Sequence, residues 1–314
     1  MKTIRGRSGR SDHGRTARLL GGAIAALAAV IAPAAPLSAK PATLSSASDV
    51  LYRLLPVTTG SAGFVYRYNR DTGVFDRAGA LTAQVFIDRP ATIGAGQWSL
   101  SGNALYLSPS SERSGRLYVT SLGATYGLTD NTELNLTLPL LVFANGDGTT
   151  ALFDPVIVRA KYNVHVGGTV ETAVGLAVRT LTVHATARAV ELIPQVHLST
   201  HPYQPTDAIR LQPYLDLGFT INAVSDADAR WGLGVDAACG DRFVLGLAFL
   251  GRSAIGGVLP FRKGSVSLFD AAVTGRVALW ADRLSAVAGV LVPLDRGEKQ
   301  DFDVVPTVGF EFGF

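Results

Sequence analysis

Cysteine is all but missing: Cys239 is the only one in 314 residues. One thiol excludes an internal disulfide framework and any multi-cysteine metal centre. Charge is also sparse, at 17% of residues against 47% hydrophobic, which excludes a disordered chain. Beyond residue 40 no apolar run approaches the ~18 residues that a spanning helix requires. The longest candidate, Phe243 to Gly251, ends in Arg252, and the region from Ala271 to Leu294 is broken by Arg276, Asp282 and Arg283. No nucleic-acid partner is expected, because the net charge of +3 belongs to one end of the chain. Residues 1–39 carry Lys2, Arg5, Arg7, Arg10, Arg15 and Arg18 against Asp12 alone, whereas from Lys40 onward 22 basic residues face 24 acidic ones.

That basic stretch is followed by an uncharged run from Leu19 to Ala39, closed by small residues at Leu37-Ser38-Ala39. The pattern is a secretory signal cleaved near residue 39. A permanent N-terminal anchor is the competing reading, and Pro33 and Pro36 weaken it. The remainder is then an exported chain, apolar overall, without a helical span.

Alternation explains that composition. Val304, Pro306, Val308, Phe310, Phe312 and Phe314 alternate with small or polar residues that include Thr307, Gly309, Glu311 and Gly313. A strand sends successive side chains to opposite faces, so one face here is greasy and the other is not. Leu134, Leu136, Leu138 and Leu140 alternate in the same way with Glu133, Asn135, Thr137 and Pro139. Similar patterns run through 156–163, 190–199 and 211–222. A half-buried soluble sheet also alternates, but long strands with charges on the second face suit a closed barrel in lipid.

The expected fold is therefore all-β: a transmembrane antiparallel up-and-down β-barrel of about twelve strands. The strands are read at 96–107, 116–127, 131–143, 155–164, 169–180, 188–199, 209–223, 229–239, 242–250, 266–280, 283–293 and 303–314. Short turns alternate with longer loops, as outer-membrane barrels require, with 200–208 as the one long connection on the short-turn side. Aromatic residues such as Trp98, Tyr106, Tyr118, Tyr126, Phe143, Tyr162, Phe269, Trp280 and Phe314 lie near strand ends, where interfacial girdles belong. Residues 96–314 form the barrel, and 40–95 form a segment packed under or into it. Should 62–69 and 80–88 join the wall, the count rises to fourteen.

Certain turns resemble a known family. Tyr126-Gly127-Leu128-Thr129-Asp130-Asn131-Thr132-Glu133-Leu134, continuing to Leu138-Pro139, is similar to a hairpin of the outer-membrane transporters named after the meta-pathway of phenol degradation. Further matches are Thr92-Ile93-Gly94, Pro213 to Asn222, Trp231 to Asp236 with Asp241-Arg242-Phe243, Val292-Pro293-Leu294, and Pro306 to Phe310. The resemblance implies a barrel of the Gram-negative outer membrane, porin-like, carrying small hydrophobic or aromatic molecules. Phe310, Phe312 and Phe314 are similar to the C-terminal signal that such barrels present to their assembly machinery. The partners implied are outer-membrane lipid, that machinery and a small hydrophobic substrate.

No enzyme, cofactor or metal centre is expected. His197-Leu198-Ser199 invites comparison with barrel lipases, yet both polar side chains point inward, away from lipid, with no orienting group evident. Asn145-Gly146-Asp147-Gly148 lacks the spaced acids of a calcium loop and reads as a tight turn. His165, His184 and His201 have no partners at ligand spacing. The inward list carries the functional interest: Glu133, Arg159, Lys161, Glu171, Arg179, Glu191, His197, Asp216, Asp236, Arg276 and Glu311. Both signs are present, so these residues either pair across the lumen or line a path of mixed polarity. Twelve strands fall between the filled eight-stranded barrel and the open sixteen-stranded porin, which favours a narrow conduit.

Overall fold

A computed structural model describes residues 66–69, 74–77, 82–107, 116–145, 148–153, 156–165, 169–184, 187–206, 208–222, 227–256, 267–280, 283–294 and 304–314. The leader read over residues 1–39 lies outside them. Two short strands, β1 (Tyr66–Asn69) and β2 (Val74–Arg77), pair as a separate antiparallel hairpin.

The remaining strands are β3 (Trp98–Leu107), β4 (Arg116–Thr129), β5 (Thr132–Asn145), β6 (Gly148–Phe153), β7 (Ile157–His165), β8 (Val170–His184) and β9 (Ala187–Thr200). After these come β10 (Tyr203–Thr206), β11 (Ile209–Asn222), β12 (Ala227–Cys239), β13 (Phe243–Gly256), β14 (Ser267–Trp280), β15 (Leu284–Pro293) and β16 (Val305–Gly313). Twelve of them form an antiparallel ring in the order β3-β4-β5-β7-β8-β9-β11-β12-β13-β14-β15-β16. The last returns to the first, Phe310 opposite Gly102 and Glu311 opposite Ser101, so the ring has no open edge. Backbone bonds Trp98 N to Phe314 O (2.7 Å) and Phe314 N to Trp98 O (2.8 Å) complete that seam. A closed wall leaves no strand-edge donor to face hydrocarbon, which makes a spanning sheet possible.

The structure corrects the expected loops at two places. Residues 144–154 contain β6, which pairs with the far half of β5, Asn145 opposite Gly148, leaving two residues between them. β7 takes over the near half of β5, Thr132 to Thr137. The long connection 200–208 contains β10, which folds back on β11, Thr206 opposite Ile209, with all four residues exposed. The fourteen-strand alternative is also corrected. Among the described residues β1 pairs only with β2, and 82–88 adopts no strand.

Alternation sorts the two faces. Leu217, Phe219, Leu245, Leu247, Phe249, Val308 and Phe310 are exposed, while their strand neighbours are buried or half-buried. The exposed side bears aromatics at both ends. Trp98 packs on Tyr126 (4.6 Å) near the short-turn rim, and Tyr106 packs on Tyr118 (5.0 Å) near the long-loop rim. At ~3.3 Å per residue and a tilt of ~40°, the steps from Trp98 to Tyr106 and from Phe269 to Trp280 bracket the ~25 Å apolar band of a membrane barrel. Bulky rings also cover wall glycines from outside: Phe310 lies over Gly102 and Trp231 over Gly251. Leu247→Arg, at mid-height on this face, should cost ~2–4 kcal/mol of folding stability in denaturant titrations from vesicles.

Candidate functional site: a filled barrel interior

Residues 82–97 occupy the ring's interior. They have no strand partner, yet Thr82 to Pro90 are all buried, with Val85, Phe86, Ile87 and Ile93 at 5% exposure or less. Their backbone and polar groups find bonds on the wall instead. Thr82 Oγ1 and Gln84 Nε2 donate to the Asp236 carboxylate at 2.6 and 2.9 Å, and Gln84 Nε2 also reaches Val235 O and Leu247 O. Ile93 N donates to Glu133 Oε2 (3.1 Å), Ala95 N to Asp130 Oδ1 (3.2 Å) and Gly96 N to Gly127 O (2.8 Å).

Wall glycines make the room. A Cβ at Gly232 or Gly234 would meet Ile87 at 3.0 or 2.8 Å, and one at Gly246 would meet Ala83 Cβ at 3.1 Å. At Gly127 it would collide with the carbonyl of Gly94. These positions share an inward parity with Asp236 and Glu133, so small residues are placed under the segment rather than scattered. Both ends of the segment lie near the same rim. Thr82 meets Asp236 three residues from the end of β12, and Ala95 meets the Asp130 turn. The segment thus enters and leaves at the short-turn end without threading the ring.

Its one carboxylate meets three basic side chains of the wall. Asp88 pairs with Arg159 Nη1, lies 3.2 Å from Lys161 Nζ and 3.8 Å from His197 Nε2, and accepts from Arg89 N at 2.8 Å. Burial pushes the carboxyl toward protonation, but Arg159, Lys161 and His197 outweigh it and hold Asp88 well below the usual carboxylate range. Lys161 Nζ also donates to Arg89 O (2.9 Å) and Ala91 O (3.0 Å) and sits 2.9 Å from Glu133 Oε1. On its other edge, His197 Nδ1 is 3.0 Å from Asp216 Oδ1. Ser199 Oγ has no hydrogen-bond partner among the described residues, so that hydroxyl does not bond the His197 ring.

Two further networks brace the wall. Arg276 Nη1 is 2.6 Å from Glu311 Oε2 and donates to Ser285 Oγ (3.0 Å), while Ser99 Oγ donates to Glu311 Oε1 (2.7 Å). A cavity of about 20 Å³ beside this cluster, bordered by Gln84, Thr125 and Val287, has room for one water. Nearer the long-loop end, Arg179 pairs with Glu191 across β8 and β9, with Nε at 2.7 Å from Oε2 and neither side chain exposed.

The structure places the sequence-read residues as follows. Glu133, Arg159, Lys161, Arg179, Glu191, His197, Asp236, Arg276 and Glu311 are buried, and Asp216 and Glu171 are half-buried at the same parity. Phe310 and Phe314 are exposed and Phe312 is half-buried, all on the outer parity. Glu133, Arg159, Lys161, His197 and Asp216 converge on Asp88, whereas Arg179–Glu191 and Arg276–Glu311 are separate pairs. Asp88, Thr82 and Gln84 are absent from the inward list because they belong to no strand. Asp270 and Arg252 are buried too. The parity of Asp270 with Arg276 was open to reading, and Arg252 falls on an extension of β13 past residue 250. Among the described residues no cluster of His, Cys, Asp and Glu could hold a metal ion.

No family model matches the chain, and no curated protein matches it. Solved structures do. The chain is similar to the KdgM porin at 10% identity, covering 69% of this chain and 99% of that one with a TM-score of 0.47. It is similar to an outer-membrane channel from Pseudomonas putida F1 at 10% identity, covering 72% and 98% with a TM-score of 0.48. It also matches the translocator domain of the autotransporter NalP from Neisseria meningitidis at 12% identity, covering 87% and 98% with a TM-score of 0.44. The likeness is one of barrel architecture.

Proposed function

We propose that the chain is a transporter of the Gram-negative outer membrane: a narrow, gated conduit for small molecules, hydrophobic or aromatic ones included. One observation carries this reading. The interior is closed by an inserted segment, residues 82–97, rather than by wall side chains alone. A barrel that serves only as a rivet can fill its lumen with its own residues and needs no separate insert. Here the wall gives up side chains at Gly127, Gly232, Gly234 and Gly246 to seat the insert. Withdrawing it would leave a passage lined by both charge signs. The short-turn end, where the insert enters, would face the periplasm, as in barrels of this kind.

The turn motifs that resemble those of the phenol meta-pathway transporters support the same class of cargo. Lipid around the outer face and assembly machinery reading Phe310, Phe312 and Phe314 would be its partners. We assign it no catalytic step. The test is flux: purified protein in planar bilayers, and cells expressing it, should pass small solutes above empty-membrane controls. No flux under either condition would remove the transporter reading. A structural barrel makes the opposite forecast, namely that reversing the charge of Arg159 or Glu191 weakens the fold and leaves permeability unchanged.

A further inference from the structure

The cluster that holds Asp88 is built for an anion. Arg159 and Lys161 set two positive charges against Glu133, which leaves one positive charge for Asp88 to match. With the segment in place, the Arg159 and Lys161 side chains are exposed to 1% or less, so Asp88 rather than water matches their charge. Asp216 is engaged elsewhere, with Oδ1 3.0 Å from His197 Nδ1 and Oδ2 accepting from Asp88 N at 3.4 Å. If the segment leaves, the wall retains a net positive site without its carboxylate.

The residues before Asp88 define what lies next to that site. Phe86 and Ile87 pack in one apolar cluster with Leu105, Val119, Ile157 and Leu250 from the ring. Those four face inward, toward the long-loop half. A vacated interior would therefore present an apolar lining on one side and a cationic pair on the other. The stretch Phe86-Ile87-Asp88 fills both at once, an apolar body beside one carboxylate.

From this match we infer that the Arg159–Lys161–His197 cluster is a ligand site for small organic monocarboxylates with an apolar body, arylalkanoates among them, and that Asp88 occupies it as an internal surrogate. The inference rests on the transporter reading and names its cargo. A carboxylate in solution competes with Asp88 for the same cations, so cargo arriving on one side weakens the hold on the segment that blocks its path. Binding the open form better than the closed one is what allows a ligand to shift the equilibrium.

Phenylacetate is the probe, and phenylacetamide, of equal shape without the charge, is its control. In full-length Asp88→Asn, the segment keeps its size and the cations lose their internal partner. Phenylacetate should then bind about tenfold or more tighter than to the unaltered protein, because the competent state no longer has to be won from Asp88. Phenylacetamide should bind both forms alike, and adding Arg159→Gln with Lys161→Gln should remove the gain. Equal affinity of phenylacetate for the two forms, or equal gains for both probes, overturns the inference. Should Asp88→Asn fail to fold, as judged by heat-shifted gel mobility, the unaltered protein decides: phenylacetate and not phenylacetamide should speed protease cleavage within residues 82–97. No difference between the probes there also overturns it. The two readings fail separately. Carboxylate-selective binding without flux of any solute removes the transporter, whereas flux without carboxylate preference removes only the site proposed here.

Discussion

Ala83→Cys combined with Gly246→Cys, in a background carrying Cys239→Ser, is expected to abolish flux until a reductant is added. The Ala83 Cβ lies 3.1 Å from where a Cβ at 246 would stand, slightly inside the ~3.5–4.5 Å that a disulfide spans. A shift of a few tenths of an ångström in the segment accommodates the bond. Once formed, it staples the insert to β13 and fixes it near the short-turn rim. Conductance should be absent in the oxidised protein and return on reduction, whereas Ala83→Cys alone should behave like the parent with or without reductant. Flux that ignores the redox state would mean that solutes bypass the segment, and the gate would have to be sought elsewhere.

Arg179→Ala carries the largest expected cost in stability. It leaves Glu191 at 0% exposure without the guanidinium that pairs with it. Removing one member of a buried pair costs about 3–5 kcal/mol, because the other charge stays desolvated. Replacing both with Leu should cost much less, since the desolvation penalty leaves together with the pair. Urea titration of barrels folded into vesicles separates the cases, with the double variant close to the parent and the single one far below it. A single variant within ~1 kcal/mol of the parent would show that water reaches Glu191 and that this level of the interior is wet.

The wall was legible because lipid on one side and protein on the other force a period of two. Leu134 to Leu140 and Val304 to Phe314 show it without ambiguity, and β5 and β16 follow within two residues. Where only one face contrasts with the next, the signal holds. The insert is different. Val85, Phe86 and Ile87 are apolar in a row and all buried, since the ring surrounds them on every side. No periodicity can announce a segment enclosed like that. The sequence places 80–88 in a segment under or inside the barrel, or in the wall, but nothing in it marks Asp88 as the partner of Arg159, Lys161 and His197, each found by parity. β10 was missed for another reason. It lies past the apolar band, where exposure of Tyr203 to Thr206 on both faces erases the alternation.

The seam between β16 and β3 has a consequence for biogenesis. β3 begins immediately after the insert, and its partner is the strand farthest along the chain. Zipping these two together is the step that makes a cylinder from a curled sheet, and it draws residues 82–97 to the mouth in the same motion. The barrel would then be corked as it is sealed, so a nascent molecule never offers the cell an unguarded hole.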